Sequence, residues 1–273
     1  MKVPFKLLIK AVTQTGLCYA RGINMRIIIS PAKKMKVDTD TLEYQELPLF
    51  IENAGILLSH LRKLNYEEAK TLWNCNDKIA GCNYERLGKA DLYHNLTPAI
   101  LSYEGIQYQY MAPGVFETKE YEYIRKHLRI LSGFYGLLKP FDGVVPYRLE
   151  MQARLKGEGF RSLYEFWNSK LSEQLFSESG CIVNLASAEY SKGISAYLTD
   201  KIKYITCVFG ERIGGKTVEK GTLVKMARGE MVRFMAQNQI VKVKDIKEFS
   251  GLGFQYVKEL SDRNTYVFIR GKQ

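Results

Sequence analysis

The chain has few of the residues that build metal and disulfide sites. It has three histidines, His60, His94 and His127, and no two stand at H-x-x-x-H spacing. Its five cysteines, at 18, 75, 82, 181 and 207, are odd in number and include no C-x-x-C pair. Cys75 and Cys82 stand seven apart, too far for the usual paired zinc ligands. These spacings point to no metal site, no cofactor and no secreted disulfide framework; reduced thiols in a cytoplasmic protein are expected. Proline is sparse, at seven residues, which argues against long disordered linkers. No apolar run approaches the roughly 20 residues of a membrane span. No low-complexity tract and no fixed-period repeat is present.

What is there is ordinary globular material: 273 residues, 46% hydrophobic and 25% charged, with a net charge of +11. The charge is uneven. Residues 1–24 hold Lys2, Lys6, Lys10 and Arg21 and no acid. Residues 25–191 are nearly balanced, with 20 basic against 21 acidic, and residues 192–273 hold 16 basic against 8 acidic. A C-terminal surplus of this kind either contacts phosphates or is a solvated surface that aids solubility. Residues 1–24 begin like a secretory signal, but Lys10 interrupts the apolar stretch, and Met25 then opens the compact run MRIIIS. We therefore expect 1–24 to be a non-core extension, or an over-called start, and 25–273 to form a single domain.

Ile27, Ile28 and Ile29 suit a buried strand, ended by Ser30-Pro31. Residues 49–64 place Phe50, Ile51, Ala54, Leu57, Leu58, Leu61 and Leu64 on one helical face. Asn65 with Glu68 makes a capping box for a shorter helix. LWNCNDKIAGCNYERLGKA reads as two helical pieces joined around Gly81. LRILSGFYGLL (128–138), CIVNLA (181–186), KIKYITCVF (201–209) and YVFIR (266–270) read as strands, with Ile202, Tyr204 and Thr206 alternating against Lys201 and Lys203. Residues 161–176 and 229–240 read as helices. The mixture predicts an α+β (mixed α/β) fold: one compact domain with a mixed sheet and peripheral helices.

GERIGGKT (210–217) matches G-x-x-x-x-G-K-[ST], the phosphate loop of many NTPases. That loop needs a helix to leave it. What leaves here is TVEKGTLVK, an alternating β-branched stretch broken by Gly221, and Gly214-Gly215 between alternating runs is a hairpin turn. We read a hairpin and not a nucleotide cradle.

Seven segments in order carry a family resemblance. They are IIISPAK (27–33), NDKIAGCNYERL (76–87), LRILSGFYGLLKPFDGVVPYRLEM (128–151), LYEFW (163–167), IVNLASAEY (182–190), KMARGEMVRF (225–234) and the terminal GFQY with YVFIR. Residues 25–273 closely resemble the YaaA family of bacterial peroxide-stress proteins. The resemblance implies protection from hydrogen peroxide, less free intracellular iron, and DNA binding through a compact fold with a helix-hairpin-helix element and a basic cleft. It also implies strand–turn–strand geometry for GERIGGKT.

The hairpin candidate is Asp77 to Asn83, turning at Gly81, with Lys78 and Arg86 as assisting cations. Glycine supplies the turn, Asn83 tolerates a left-handed backbone, and N–H groups of the second helix would grip a phosphate. A plain αα-corner is the alternative. Lys33 follows a strand end. Arg148 and Glu150 alternate onto one side, as a phosphate cleft or a buried ion pair. Asn184, Ser187 and Glu189 bracket a strand-to-helix turn, where Ser187 suits an N-cap. Lys225, Arg228 and Arg233, with Lys216 and Lys220 upstream, form the densest basic region. Two functions fit: a non-enzymatic binder of double-stranded or branched DNA with weak sequence preference, and an enzyme acting on a nucleobase, nucleotide or damaged DNA. In the second, Glu150 or Glu189 would supply the acid or base.

Overall fold

The computed structural model describes residues 25–271; the expected extension at 1–24 lies outside them. Strands β1 (Arg26–Ile29) and β2 (Lys34–Met35) precede helices α1 (Ile51–Arg62), α2 (Tyr66–Trp73) and α3 (Asp77–Lys89). Then come β3 (Thr97–Pro98), α4 (Ala99–Ser102), β4 (Tyr103–Glu104), α5 (Ile106–Met111), α6 (Thr118–His127), β5 (Leu128–Ser132), β6 (Gly136–Leu138) and β7 (Gly143–Val144). Helices α7 (Leu163–Trp167) and α8 (Lys170–Glu178) lead to β8 (Cys181–Leu185), α9 (Ala188–Ser195), β9 (Lys203–Ile213) and β10 (Lys216–Val218). Helix α10 (Gly221–Gln237), β11 (Phe254–Tyr256) and β12 (Thr265–Arg270) complete the order.

One mixed sheet organises the domain, in the order β11-β12-β9-β8-β1-β5-β6, with β10 paired to β9. Strands β5, β1, β8, β9 and β12 run parallel; β6, β10 and β11 are antiparallel edges. Every residue of β1, β5 and β8 is buried, as expected for central strands covered on both faces. From β1 the chain proceeds to β5 on one side, then returns to β8 on the other. The strand order therefore reverses at β1 and β8. In open parallel sheets the crevice beyond the strand C-termini at such a reversal is where ligands bind.

The helix expected at 49–64 forms over Ile51–Arg62 and buries Ala54, Leu57, Leu58 and Leu61. Each such leucine contributes about 2 kcal/mol of burial. The Asn65–Glu68 capping box is present on α2. The helix expected over 161–176 is broken at Asn168 (φ 44°) into α7 and α8. In β9 the buried phase is Ile205, Cys207 and Phe209, not Ile202, Tyr204 and Thr206. The second face is also covered, so Tyr204 and Thr206 are half-buried and the polar/apolar alternation misassigned the inner face.

Gly81 is not a turn. It lies inside α3, which runs unbroken from Asp77 to Lys89. The reversal sits earlier, at Asn74 (φ 43°), and Asn76 accepts the Ile79 N–H as N-cap. A mid-helix glycine costs only about 1 kcal/mol, which these signals on either side of the turn offset. GERIGGKT is a strand–turn–strand: Lys216 pairs with Ile213 across Gly214 (φ 57°) and Gly215 (φ 78°), both left-handed as a type I′ turn requires. Gly221 opens α10 instead of ending a strand, so that helix begins two turns before the expected 229. Gly229 lets α10 lie against α5, since a Cβ there would meet the Gln107 carbonyl oxygen at 2.1 Å.

Candidate functional site

Ser30 follows β1 and Ser187 follows β8, so parallel pairing of these strands brings the two hydroxyls together. Their oxygens are 3.2 Å apart, and the Ser187 N–H donates to Ser30 Oγ at 2.8 Å. Ser187 occupies the N-cap position of α9, but its side chain makes no capping bond; it is committed to Ser30. Tyr108 Oη, from α5, donates to the Ser30 carbonyl at 3.0 Å.

Above this edge passes the loop 145–151. Gly133 makes that approach possible: a Cβ there would stand 2.6 Å from the Leu149 carbonyl oxygen. Within the loop Arg148 Nη2 lies 3.2 Å from Glu150 Oε1, and both side chains are about nine-tenths buried. Lys33 Nζ reaches the same oxygen at 3.0 Å while remaining largely exposed. Neither contact has the direction of a hydrogen bond, so charge alone pairs this buried oxygen. Glu189, in the first turn of α9, accepts the Gln152 N–H at 3.2 Å. Burial holds its carboxyl above the usual carboxylate range, and the nearby Glu150 charge adds to that rise.

A tyrosine–serine network supports the loop from below. Tyr147 Oη lies 2.8 Å from Tyr103 Oη and 2.6 Å from Ser132 Oγ. Burial pushes the Tyr147 phenol up to about 12, so it stays protonated within this network. Behind Arg148 is a cavity of about 20 Å³ bordered by Trp73, Asn83 and Tyr147, large enough for one water. Arg148 Nε and Trp73 Nε1 are buried without a partner among the described residues. Arg148 Nη2 also approaches the Trp73 carbonyl at 3.4 Å, which ties the loop to the end of α2.

The structure thus brings Lys33, Arg148, Glu150 and Glu189 to one place, with Asn184 and Ser187 beneath. Asn184 Oδ1 accepts the Ala186 N–H at 2.9 Å and so shapes the turn. Asn83 borders the cavity behind Arg148 but is buried and donates to the Ile79 carbonyl, so it forms no left-handed turn. Arg86 reaches the Met35 carbonyl at 3.4 Å. Lys78 and Gly81 lie on α3 outside this cluster. No described hydrogen bond or ion pair joins Lys225, Arg228 or Arg233 to it. Lys225 is exposed, whereas Arg228 is half-buried with Nε enclosed and unpaired among the described residues. Sequence reasoning missed Ser30, Tyr103, Tyr108, Ser132 and Tyr147 as site members; the one available signal was the position of Ser30, Tyr103 and Ser132 at or next to a strand end.

The cluster sets the exposed ammonium of Lys33 beside Glu189, a carboxyl that burial makes easier to protonate than an ordinary one. Among the described residues no group of three or more His, Cys, Asp or Glu is placed to hold a metal ion. No helix among them is long and apolar enough to cross a membrane.

Over residues 25–260 the chain matches a family model described as peroxide stress protein YaaA. It is 58% identical to a UPF0246 protein of Desulfitobacterium hafniense over 246 residues, covering 90% of this chain and 98% of that one. A UPF0246 protein of Agathobacter rectalis is 56% identical over 90% of this chain and 99% of its own. One of Lachnoclostridium phytofermentans is 54% identical over 91% and 97%.

Proposed function

Because the chain belongs to the YaaA family of peroxide stress proteins, we propose that it serves the peroxide-stress response by binding the DNA phosphate backbone. The contact region is the C-terminal edge of the sheet. The observation that carries this reading is a set of cations without acidic partners among the described residues. Arg212 and Lys216 flank the β9–β10 turn, and Lys225 is in the first turns of α10; all three are exposed. Strand β9 pairs with β8 only as far as Thr206 and runs on to Ile213, so this hairpin projects past the edge where Lys33 sits. Unpaired exposed lysines and arginines are the groups that release counterions on binding a polyanion.

Helix α3 contributes less than a phosphate-gripping hairpin would. Asn76 already occupies the Ile79 N–H, and Asp77 at the helix start pairs with Lys70 at 2.7 Å. Lys78 remains an exposed cation beside that corner. The test is titration of labelled duplex and branched DNA at two salt concentrations with the wild type and a Lys216→Glu/Lys225→Glu variant. Absence of binding at low salt sinks the reading. Its link to free iron is read separately, as labile iron after peroxide in cells carrying either form.

A second reading, an enzyme acting on a nucleobase, nucleotide or damaged DNA, is favoured by the raised Glu189 carboxyl beside Glu150 and Lys33. Glu189 would be the acid or base and Lys33 the anion contact. Glu189→Gln would then abolish peroxide protection while leaving DNA affinity unchanged.

A further inference from the structure

A second pocket opens at the opposite edge of the sheet, where β1 and β5 begin. Its cavity is about 260 Å³, and Arg26, Lys126, Arg129, Lys139 and Asp142 are among its lining residues. The parallel register sets Arg129 opposite Ile28, so Arg26, two residues before Ile28, lies diagonally from Arg129 on the same face of the sheet. Both are more than nine-tenths buried. They share one carboxylate oxygen, Glu178 Oε2, at 2.8 Å from Arg26 Nε and 2.7 Å from Arg129 Nη2. The other Glu178 oxygen accepts from Gln174.

The buried charge does not balance. Two guanidinium groups face one full carboxylate, because burial pushes the Asp142 carboxyl up to about 7. Arg26 Nη1 is buried with no partner among the described residues. Lys126 stands exposed at the rim and enters no ion pair with a described residue. The other acid of the lining, Glu46, is already engaged by Lys139, and Arg125 is paired with Glu122. The neighbouring His127 imidazole is held below its usual range, first by burial and then by Arg26, Lys126 and Arg129. An uncompensated buried guanidinium is costly, and a fork of N–H donors with a free arm matches a tetrahedral oxyanion.

We propose that this pocket binds a small phosphate-bearing anion, gripped by the Arg26 guanidinium and by Lys126 at the rim. The cavity lies just below the range that encloses drug-sized ligands, which suits inorganic phosphate or a small phosphomonoester. Asp142 accepts the Lys139 N–H at 2.9 Å through Oδ2, and in its protonated form it offers an O–H to the bound anion. The pocket is separate from the Lys33 cluster, at the other end of β1.

The experiment is titration of inorganic phosphate into the full chain, followed by thermal shift and phosphorus NMR line width, at ionic strength held constant with chloride. A parallel titration uses glycerol 3-phosphate. The expected result is a saturable response that Lys126→Glu and Arg26→Gln each weaken by about tenfold or more and that Lys33→Ala leaves unchanged. Tighter binding of one titrant assigns the pocket to free phosphate or to a phosphomonoester. Lys126 is exposed, so its variant tests the idea even where Arg26→Gln fails to fold. No saturable response, a response intact in Lys126→Glu, or one abolished by Lys33→Ala would overturn the proposal.

Discussion

Arg148 and Glu150 meet at 3.2 Å beyond the C-terminal ends of β1 and β8, and the oxygen that receives Arg148 also receives Lys33 at 3.0 Å. The first pair is buried and the second is open to water on the lysine side. That asymmetry separates their energetics. Glu150→Ala leaves a buried guanidinium unpaired and is expected to cost about 3–5 kcal/mol. Lys33→Ala removes an exposed partner and is expected to cost less than about 1 kcal/mol. Urea denaturation of the two variants measures the difference; equal losses would contradict it.

Gly133 holds the position of that loop by having no side chain. Gly133→Ala forces a Cβ to within 2.6 Å of the Leu149 carbonyl oxygen, a backbone atom with little room to yield. A loss of about 1–3 kcal/mol is expected. The same variant displaces Glu150, so the amide signals of residues 148–152 should shift. An unshifted spectrum would show that the loop does not depend on this contact.

Asp142 gives a pH signature. Its carboxyl titrates near 7 in the folded protein, against a reference of 3.8. The native state therefore binds more protons than the unfolded state between those values, and this group lowers stability as pH rises from about 4 to about 7. Above 7 the whole penalty is present. Asp142→Asn removes it while keeping an acceptor for the Lys139 N–H. The variant should gain on the wild type as pH rises from 5 to 8 in thermal melts; a constant difference would contradict the assignment.

At the β9–β10 turn, Gly214 and Gly215 carry left-handed backbone that a β-branched residue adopts only under strain. Gly215→Val is expected to cost about 1–3 kcal/mol. Lys216→Ala is expected to cost under about 0.5 kcal/mol, as an exposed substitution. If the stretch were a nucleotide cradle, Lys216→Ala would remove saturable ATP binding there; calorimetry should show ATP binding unchanged between wild type and variant.

Much of this architecture was legible in residue patterns. The β1 isoleucines, the Asn65–Glu68 capping box and the double-glycine turn are local signals whose physics acts within a few residues. The family resemblance carried by 128–151 and 182–190 also held. Gly81 misled because glycine is tolerated inside a helix when its ends are well defined, and the Asn74 and Asn76 signals were the stronger ones. In β9 the lysines marked solvent ends of the strand, not a solvent face. The clustering of Lys33 and Glu189 with Arg148 and Glu150 was not legible, because parallel pairing of β1 with β8 joins segments far apart in the chain. The Arg26–Arg129 pair was hidden for the same reason: only the β1–β5 register brings the two onto one face, where Glu178 reaches both.

The central claim, backbone-directed DNA binding at the C-terminal edge, is tested most directly by the salt dependence of duplex affinity in wild type and in Lys216→Glu/Lys225→Glu. The account predicts binding that weakens linearly in log salt. It also predicts a slope shallower by about 0.9 for each phosphate contact removed. No binding at low salt, or the same affinity and slope in both proteins, would contradict it.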